Sequence, residues 1–593
     1  MIVCIAEKPT VAKDIAFVLG AKERKNGYYE GNNYQVTWTF GHFCTLKEPN
    51  DYHPEWKSWR LEYLPMIPTQ FGIKLIQNPG VLKQFEVIKS LLSQCETVVN
   101  CGDAGQEGEL IQRWVLLKAN CKAPVKRLWI SSLTEEAIRE GFQNLKEAKH
   151  YDNLYAAGSA RAIGDWLLGM NATRLFTTKF PQANAVLSIG RVQTPTLAMI
   201  VQRQLEVDNF KSAHYWELKT KYRDVVFTAS IDRLHHVERA EKGLNYLKEY
   251  PFEVTDVEIK EGKEKNPRLF DLTALQVEAN KKFAFTADFT LKTIQNLYEK
   301  KHVTYPRVDT TYLSEDIHPK IPGILQALSG YQQFTQPLLS APIPMSKSVF
   351  DNTKVTDHHA IIPTTIYPSQ LGYEEGQLYD LIVKRFIAVF YPECIVSNTT
   401  ILGKVGTIPF KVTGKQIIDA GWRNIYTEEP SDKDENKEEQ TNQVLPHFEI
   451  GESGPHEPYI HQGKTSPPKL YTEATILRAM ETAGKQVDDE EMRELMKDSG
   501  IGRPSTRANI IETLFHRKYI EKKKRNLYAT PTGIALIQTI QNDLLKSAEL
   551  TGQWEQKIRK IEKGTYELEQ QLHKRFDYTK KNREWYNVTP LMI

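Results

Sequence analysis

The chain opens on a short apolar run, Ile2-Val3-Cys4-Ile5, that breaks at Glu7-Lys8-Pro9-Thr10. The same pattern returns at Thr97-Val98-Val99-Asn100-Cys101, which breaks at Gly102-Asp103. Runs this short and this apolar read as strands buried on both faces. Each leads into a helical segment, from about Val11 with Thr10 as N-cap in the first case, and over about Glu109 to Lys118 in the second. Two strand-to-helix junctions within residues 1–150 suggest an α/β domain. Ligands of open α/β sheets gather at the carboxyl ends of the strands, where Glu7 and Asp103 fall.

At 593 residues the chain is too long for one hydrophobic core, so further domains must follow. From Asp152 the pattern turns helical: Ile163, Trp166, Leu167 and Met170 recur at helical spacing, with Arg161 and Asp165 four residues apart. Residues 215–230 and 252–260 alternate apolar and polar, as half-buried strands do. Residues 272–300 read as helical and Thr399 to Val412 as strand. The polar, charged stretch Thr427 to Gln443 reads as an exposed loop, and helices dominate after Thr472.

Charge does not settle the partner. The whole chain carries +3, but Leu514 to Ile593 holds 16 Lys and Arg against 9 Asp and Glu. That local excess fits either a solvated helical face or a surface that tracks phosphates. No stretch approaches the roughly 18 apolar residues of a membrane span. The 6 cysteines form no C-x-x-C pair, which argues against a disulfide framework or zinc ribbon and for reduced thiols. Gly463-Lys464-Thr465 resembles the end of a P-loop, but the upstream glycine position holds Pro458, so there is no Walker A site.

Four groups of residues carry chemistry. Glu7, Asp103, Glu107 and Glu109 are hard oxygen ligands at or just after strand ends and suit Mg²⁺, although Glu107 and Glu109 also suit a helix N-terminus for dipole reasons alone. In Thr304-Tyr305-Pro306-Arg307, the proline keeps Tyr305 out of a helix and Arg307 is able to share its face. A tyrosine attacking a phosphodiester needs such a cation; a packing aromatic in a turn is the plainer reading. Asp357-His358-His359 reads as one surface and one buried histidine, or as a donor to phosphate. Gly190-Arg191-Val192-Gln193-Thr194-Pro195 and Gly500-Ile501-Gly502-Arg503-Pro504-Ser505-Thr506-Arg507 each place glycine, arginine and polar donors at a helix start, which suits a phosphate and equally suits capping.

In this order, together with Ser131-Ser-Leu-Thr-Glu-Glu-Ala137, Gly169-Met-Asn-Ala-Thr-Arg174 and Leu550-Thr-Gly-Gln-Trp554, these motifs resemble those of the type IA DNA topoisomerases, most closely the bacterial topoisomerase III branch. The resemblance implies a multidomain α/β plus α+β protein of toroidal architecture with an N-terminal Toprim (Rossmann-like) domain at 1–150. A helical DNA-binding lobe would comprise 151–212 and 464–593, a β-rich arch 213–272 and 399–463, and a helical domain bearing the tyrosine 273–398. It implies transient cleavage of one DNA strand through a 5′-phosphotyrosine, strand passage and Mg²⁺-dependent resealing, without a nucleoside triphosphate or a membrane, by a monomer in the cytoplasm.

Tyr305 would be the nucleophile, Arg307, Lys8, Glu7 and His358 (with His359 a weaker match) its catalytic company, and Glu7, Asp103 and Glu107 the metal ligands. Arg161, Asp165, Arg191, Gln193, Arg503, Ser505 and Thr506 would contact the single-stranded segment. The acidic motif departs from the family pattern, reading Asp103-x-Gly105-x-Glu107 with Gln106 in place of the commoner Arg, and Glu109 is expected to compensate in part for the missing carboxylate. Two other classes compete: a Toprim nuclease or primase-like protein, for which the acidic residues suffice, and a non-catalytic single-strand binder.

Overall fold

The computed structural model describes residues 1–131, 133–180, 186–355, 358–426, 444–486 and 500–565. The loop expected at Thr427 to Gln443, and Asp357 of the histidine motif, lie outside the described residues.

Both apolar runs are strands, Ile2–Ala6 and Thr97–Cys101, and they pair in parallel with Ile5 opposite Asn100 and Ala6 opposite Cys101. They sit at the centre of a seven-stranded sheet ordered Glu23–Lys25, Tyr28–Gly31, Tyr34–Trp38, Ile2–Ala6, Thr97–Cys101, Val125–Arg127, Lys146–Glu147. Val3, Cys4 and Ile5 are fully buried because helices cover both faces. Ile2–Ala6 pairs with Tyr34–Trp38 on one side and Thr97–Cys101 on the other, so a crevice opens beyond its carboxyl end. The first helix starts earlier than expected, at Pro9, and Lys8 rather than Thr10 is its N-cap. Proline is preferred at the first helical position, where its missing N–H costs nothing.

A 28-residue helix, Asp152–Lys179, follows, and Gln193–Asp208 runs after it. Leu168, Leu197 and Ile200 share one core with Ile476, Leu477, Ile511 and Leu514, so chain segments far apart in sequence build a single helical body. The helix Ala548–Glu562 returns to lie on Asp152–Lys179, with Trp554 seated directly on Gly164. A Cβ on Gly164 would stand 1.7 Å from the indole ring. Gly164→Ala is therefore expected to push this helix off its seat and cost about 1–3 kcal/mol, read as a lower midpoint in denaturant.

The second seven-stranded sheet is ordered Ser453–Gly454, Phe252–Glu264, Cys394–Val405, Ile408–Asp419, Val225–Ala229, His214–Tyr222, Glu457–Lys464. The stretch expected as one strand near Thr399 is a hairpin, turned at Gly406 with φ 58°. Its first strand begins at Cys394 and so crosses the boundary drawn after residue 398. Phe227 and Phe252, with ring centroids 4.6 Å apart, anchor the core of this sheet. Residues 232–251 contain the helix Val237–Leu247. Between the sheet's strands in sequence lies a helical unit that includes Leu272–Phe283, Ala287–Glu299 and Tyr373–Ala388. Its core, with Leu275, Ile294 and Phe386, is continuous with that of the first sheet. All six cysteines are free, and among the described residues no helix is long and apolar enough to cross a membrane.

Candidate active site

Glu7 follows the central strand immediately and is only 6% exposed. Its backbone carbonyl is held by the Thr39 hydroxyl at 3.1 Å and the Gly41 N–H at 3.2 Å, which fixes where its side chain leaves the sheet. The Asp103 N–H donates to Glu7 Oε2 at 3.1 Å, joining the ends of the two parallel strands. Gly108 lets the following helix pack on the Asp103 backbone, since a Cβ there would lie 2.1 Å from the Asp103 carbonyl oxygen. Burial, and then the negative charge of Asp103, pushes the Glu7 carboxyl up to about 8. Burial likewise raises Asp103, although Lys8, Arg307 and Arg127 pull the other way. Carboxyls crowded together out of water are short of positive charge.

Glu107 stands at the rim with its side chain 49% exposed, and Arg307 Nη1 approaches its Oε2 at 3.4 Å. Glu109 does not substitute for a missing metal ligand. Its carboxylate is fully buried and receives Arg113 Nε and Arg127 Nε, each at 2.8 Å. Two residues apart on a helix means about 200° around its axis, so Glu107 and Glu109 face opposite ways.

Tyr305 arrives from the helical unit on an extended segment. Thr304 N–H donates to the Ile362 carbonyl at 2.9 Å, and Val303 bridges to Pro363, so the histidine motif is the neighbouring strand that holds the tyrosine straight. Tyr305 N–H crosses to the first domain and donates to the Ser131 carbonyl at 3.0 Å. The ring, 7% exposed, packs edge-on to Tyr298 at 5.4 Å and tilted against His358 at 4.5 Å. Burial, reinforced by the Asp103 charge, raises its hydroxyl well above the ordinary tyrosine range, so it is protonated at rest. Arg307 keeps its charge: burial works against it, but Tyr305, Glu107, Asp103 and Glu7 outweigh burial. Its Nε is buried with no hydrogen-bond partner, a donor left open in the acidic pocket.

His358 is a buried strut between the two walls. Its Nε2 bonds the Ala104 carbonyl and its Nδ1 the Ser131 hydroxyl at 2.8 Å. A carbonyl only accepts, so the ring hydrogen sits on Nε2. Burial lowers the ring to about 4, which makes it neutral. Both ring nitrogens are engaged in this arrangement, so donation to a phosphate, as read from the sequence, requires release of Ala104 first.

Lys8 is equally engaged, its Nζ 2.6 Å from Glu299 Oε1, which Gln295 also approaches at 3.3 Å. Glu299, Gln295 and Tyr298 were missed by the sequence reading, and Ser131 was named in a motif without a role. One signal for Glu299 was present: an acidic residue in the last turn of a helix opposes the macrodipole and needs another reason to be there.

The residues expected along a DNA strand separate into groups. Arg161 forks onto Glu555, Nη1 at 2.7 Å and Nη2 at 2.6 Å, and its Nε reaches Gln106 Oε1 at 3.1 Å. Arg191, only 4% exposed, bridges Glu555 at 2.9 Å and Asp165 at 2.7 Å and lies 5.4 Å from the Trp554 ring. Arg503 adds its charge to the same cluster from the N-cap of Pro504–His516, whose first turn bears half-buried Ser505 and exposed Thr506. Gln193 is outside the cluster, donating to the Ser188 carbonyl at 2.8 Å. Glu555, the hub, was also missed. Through Gln106, which precedes Glu107, the cluster adjoins the acidic pocket.

The model of the Toprim domain matches residues 2–133 and that described as DNA topoisomerase matches residues 149–573. A protein named DNA topoisomerase 3 from Bacillus cereus (strain ATCC 14579) is 41% identical over 98% of this chain and 81% of its own length. Its namesake from Bacillus subtilis (strain 168) is 40% identical over 95% and 78%. The solved full-length topoisomerase I from Thermotoga maritima has the same fold, with a TM-score of 0.71 over 95% of this chain and 87% of that one at 24% identity. With its two parallel strand ends, its tyrosine seated against them and full-length relatives at this level of identity, the chain belongs to the type IA DNA topoisomerases, on the topoisomerase III branch.

Proposed function

We propose that the protein relaxes and decatenates DNA by cutting one strand with Tyr305, passing DNA through the gap and resealing it. The observation that carries this is the seating of Tyr305, a residue of the helical unit, against the Glu7–Asp103 carboxyls at the sheet's edge. A hydrolase has no use for a tyrosine there. The reading also takes 1–150 as the Toprim domain, 151–212 with 464–593 as the DNA-binding lobe, 213–272 with 399–463 as the arch, and 273–398 as the domain that carries the tyrosine.

The Tyr305 oxygen attacks phosphorus, the bond from phosphorus to the 3′-oxygen breaks, and a 5′-phosphotyrosine remains. In the metal-free pocket Glu7 holds a proton at neutral pH, gives it to the departing 3′-oxygen and regains the tyrosyl proton, so the exchange balances; with the metal bound it would be a carboxylate that relays the 3′-hydroxyl proton to the tyrosyl oxygen on resealing. Arg307 offers its open Nε to the equatorial phosphoryl oxygens, and Lys8 exchanges Glu299 for the scissile phosphate. Resealing reverses the step. The phosphotyrosine conserves the bond, so no nucleoside triphosphate enters. Arg307→Ala is expected to slow cleavage about 10²–10³-fold with binding retained, measured by single-turnover cleavage of a labelled oligonucleotide.

Among the described residues no three side chains form a ready metal cluster. The crowded carboxyls nevertheless suit Mg²⁺, which is satisfied by one or two carboxylates and water. Glu7 and Asp103 would hold it, with Glu107 at the rim; bound there, it supplies positive charge and orientation for the phosphate and the 3′-end.

The pH dependence follows from Glu7. A carboxyl raised to about 8 on folding contributes stability at pH below its unfolded value near 4.5, and that stability is lost as pH rises toward 8. Mg²⁺ must displace that proton below pH 8, so its affinity is expected to rise roughly tenfold per pH unit between pH 6 and 8. Thermal shifts in Mg²⁺ titrations check this, and Glu7→Gln flattens the dependence. Relaxation of negatively supercoiled plasmid without nucleotide, abolished by EDTA and restored by Mg²⁺, tests the function; complete relaxation and resealing in EDTA would remove the metal's role.

The substrate that fits is a single-stranded segment in nicked, gapped or underwound duplex. The protein works as a monomer, in the cytoplasm and in association with the nucleoid.

A further inference from the structure

His359, which the catalytic scheme leaves unused, points to a second site. Behind Tyr305 the walls of the cleft part around a cavity of about 600 Å³, a size that takes a small organic molecule. The helix Glu135–Gln143 of the first domain contributes Glu136 and Glu140 to one wall. Asp316, from the turn Glu315–Lys320, and His359 belong to the other.

His359 is 94% buried by its 6% exposure, and its Nδ1 bonds the Ala360 carbonyl oxygen at 2.8 Å. That oxygen only accepts, so Nδ1 carries the hydrogen and Nε2 is left as a bare lone pair, with no partner among the described residues. Burial lowers the pKa of the ring and keeps it neutral. His358 does not compete for an occupant, since both its nitrogens are engaged. Lys320 is the one cation in the lining, and it is tied across the seam to Glu140 at 3.2 Å.

The lining therefore carries three carboxylates, Glu136, Glu140 and Asp316, against the one ammonium of Lys320, over apolar residues that include Ile130, Ile317 and Ile324. A phosphate or any other anion is repelled. A bare metal ion lacks a ligand cluster among the described residues. What fits is a positively charged donor on an apolar body.

We propose that this cavity binds a small organic cation, a protonated amine carried on an apolar or aromatic body, and that the occupant bridges the two walls and holds them together. The walls belong to the first domain and to the unit that carries Tyr305, which must part for strand passage. The effect on passage rests on the function proposed above; the binding does not.

The test titrates 2-phenylethylamine into the full-length, DNA-free protein by calorimetry, with 2-phenylethanol as its uncharged counterpart. The amine is expected to bind at least tenfold more tightly than the alcohol. Glu136→Gln with Asp316→Asn, both exposed and outside the catalytic machinery, is expected to weaken the amine at least tenfold. His359→Asn keeps a donor for the Ala360 carbonyl, removes the Nε2 acceptor and is expected to weaken it several-fold. Equal binding of amine and alcohol, or unchanged binding by the double variant, would overturn the site. The bridging role predicts slower plasmid relaxation at saturating amine with the yield of cleaved strand unchanged; relaxation at full speed with the site filled would overturn it. Loss of the catalytic reading through an active Tyr305→Phe variant would leave the binding result standing.

Discussion

Tyr305→Phe is expected to abolish plasmid relaxation, with a rate loss on the order of 10⁵-fold or more, as when the nucleophile is removed from other covalent catalysts. The fold should survive. The ring sits in contact with Tyr298 and His358, Phe fills the same volume, and the segment is held by backbone bonds to Ser131 and by Thr304 to Ile362, none of which the hydroxyl makes. Single-stranded DNA binding, measured by fluorescence anisotropy, should be retained because the arginine cluster is untouched. Loss of both activity and binding would mean that Tyr305 organises the cleft rather than reacting in it. Retention of both would remove it from the mechanism.

The second large effect is on stability. Glu555→Gln is expected to cost about 3–5 kcal/mol, because a neutral amide leaves buried Arg191 and part-buried Arg161 with only half-exposed Asp165 as counter-charge. For a cooperative unit of roughly 200 residues, that corresponds to a fall on the order of 10 °C in the thermal midpoint. Burial alone would raise the Glu555 carboxyl, but Arg161 and Arg191 outweigh it and hold it far below the usual range. A depressed carboxyl contributes stability above about pH 4.5 that is lost as pH falls. Wild type is therefore expected to lose stability on acidification below that point, and the Gln variant to lose less, as followed by circular dichroism at several pH values. An unchanged midpoint would show that the cluster contributes nothing to holding Ala548–Glu562 against Asp152–Lys179.

Glu555 and Glu299 also show where sequence reading stopped. Each sits in an amphipathic helix among other charged residues, and each meets its partner across a large sequence separation, 394 residues to Arg161 and 291 to Lys8. No local period reports such a contact. Glu7 and Asp103 were legible for the opposite reason. Each ends a short apolar run, and a parallel sheet has one functional end, so two local patterns fixed a non-local meeting.

The acidic spacing was legible only in part. Glu107 and Glu109 look equivalent as text, and helical rotation sends one to the rim and the other into Arg113 and Arg127. Tyr305 was placed correctly in an extended segment because Pro306 excludes a helix, but its alignment by residues 360–364 depended on a pairing that sequence does not display. The hairpin at Cys394–Asp419 was read as one strand because Gly406, its turn, sits among residues of strand character on both sides. The histidine pair could be named but not apportioned. Only the fold decides that His358 joins the two walls while His359, its Nδ1 on the Ala360 carbonyl, lines the cavity behind them.

The most direct measurement of the central claim is to trap the cleaved intermediate by denaturing the protein on an end-labelled single strand, digest it, and identify both the retained DNA end and the modified peptide. The account predicts a 5′-phosphate esterified to the peptide containing Tyr305, with a free 3′-hydroxyl on the other fragment. Attachment through a 3′-phosphate, linkage to another residue, or cut DNA bearing no protein would contradict it.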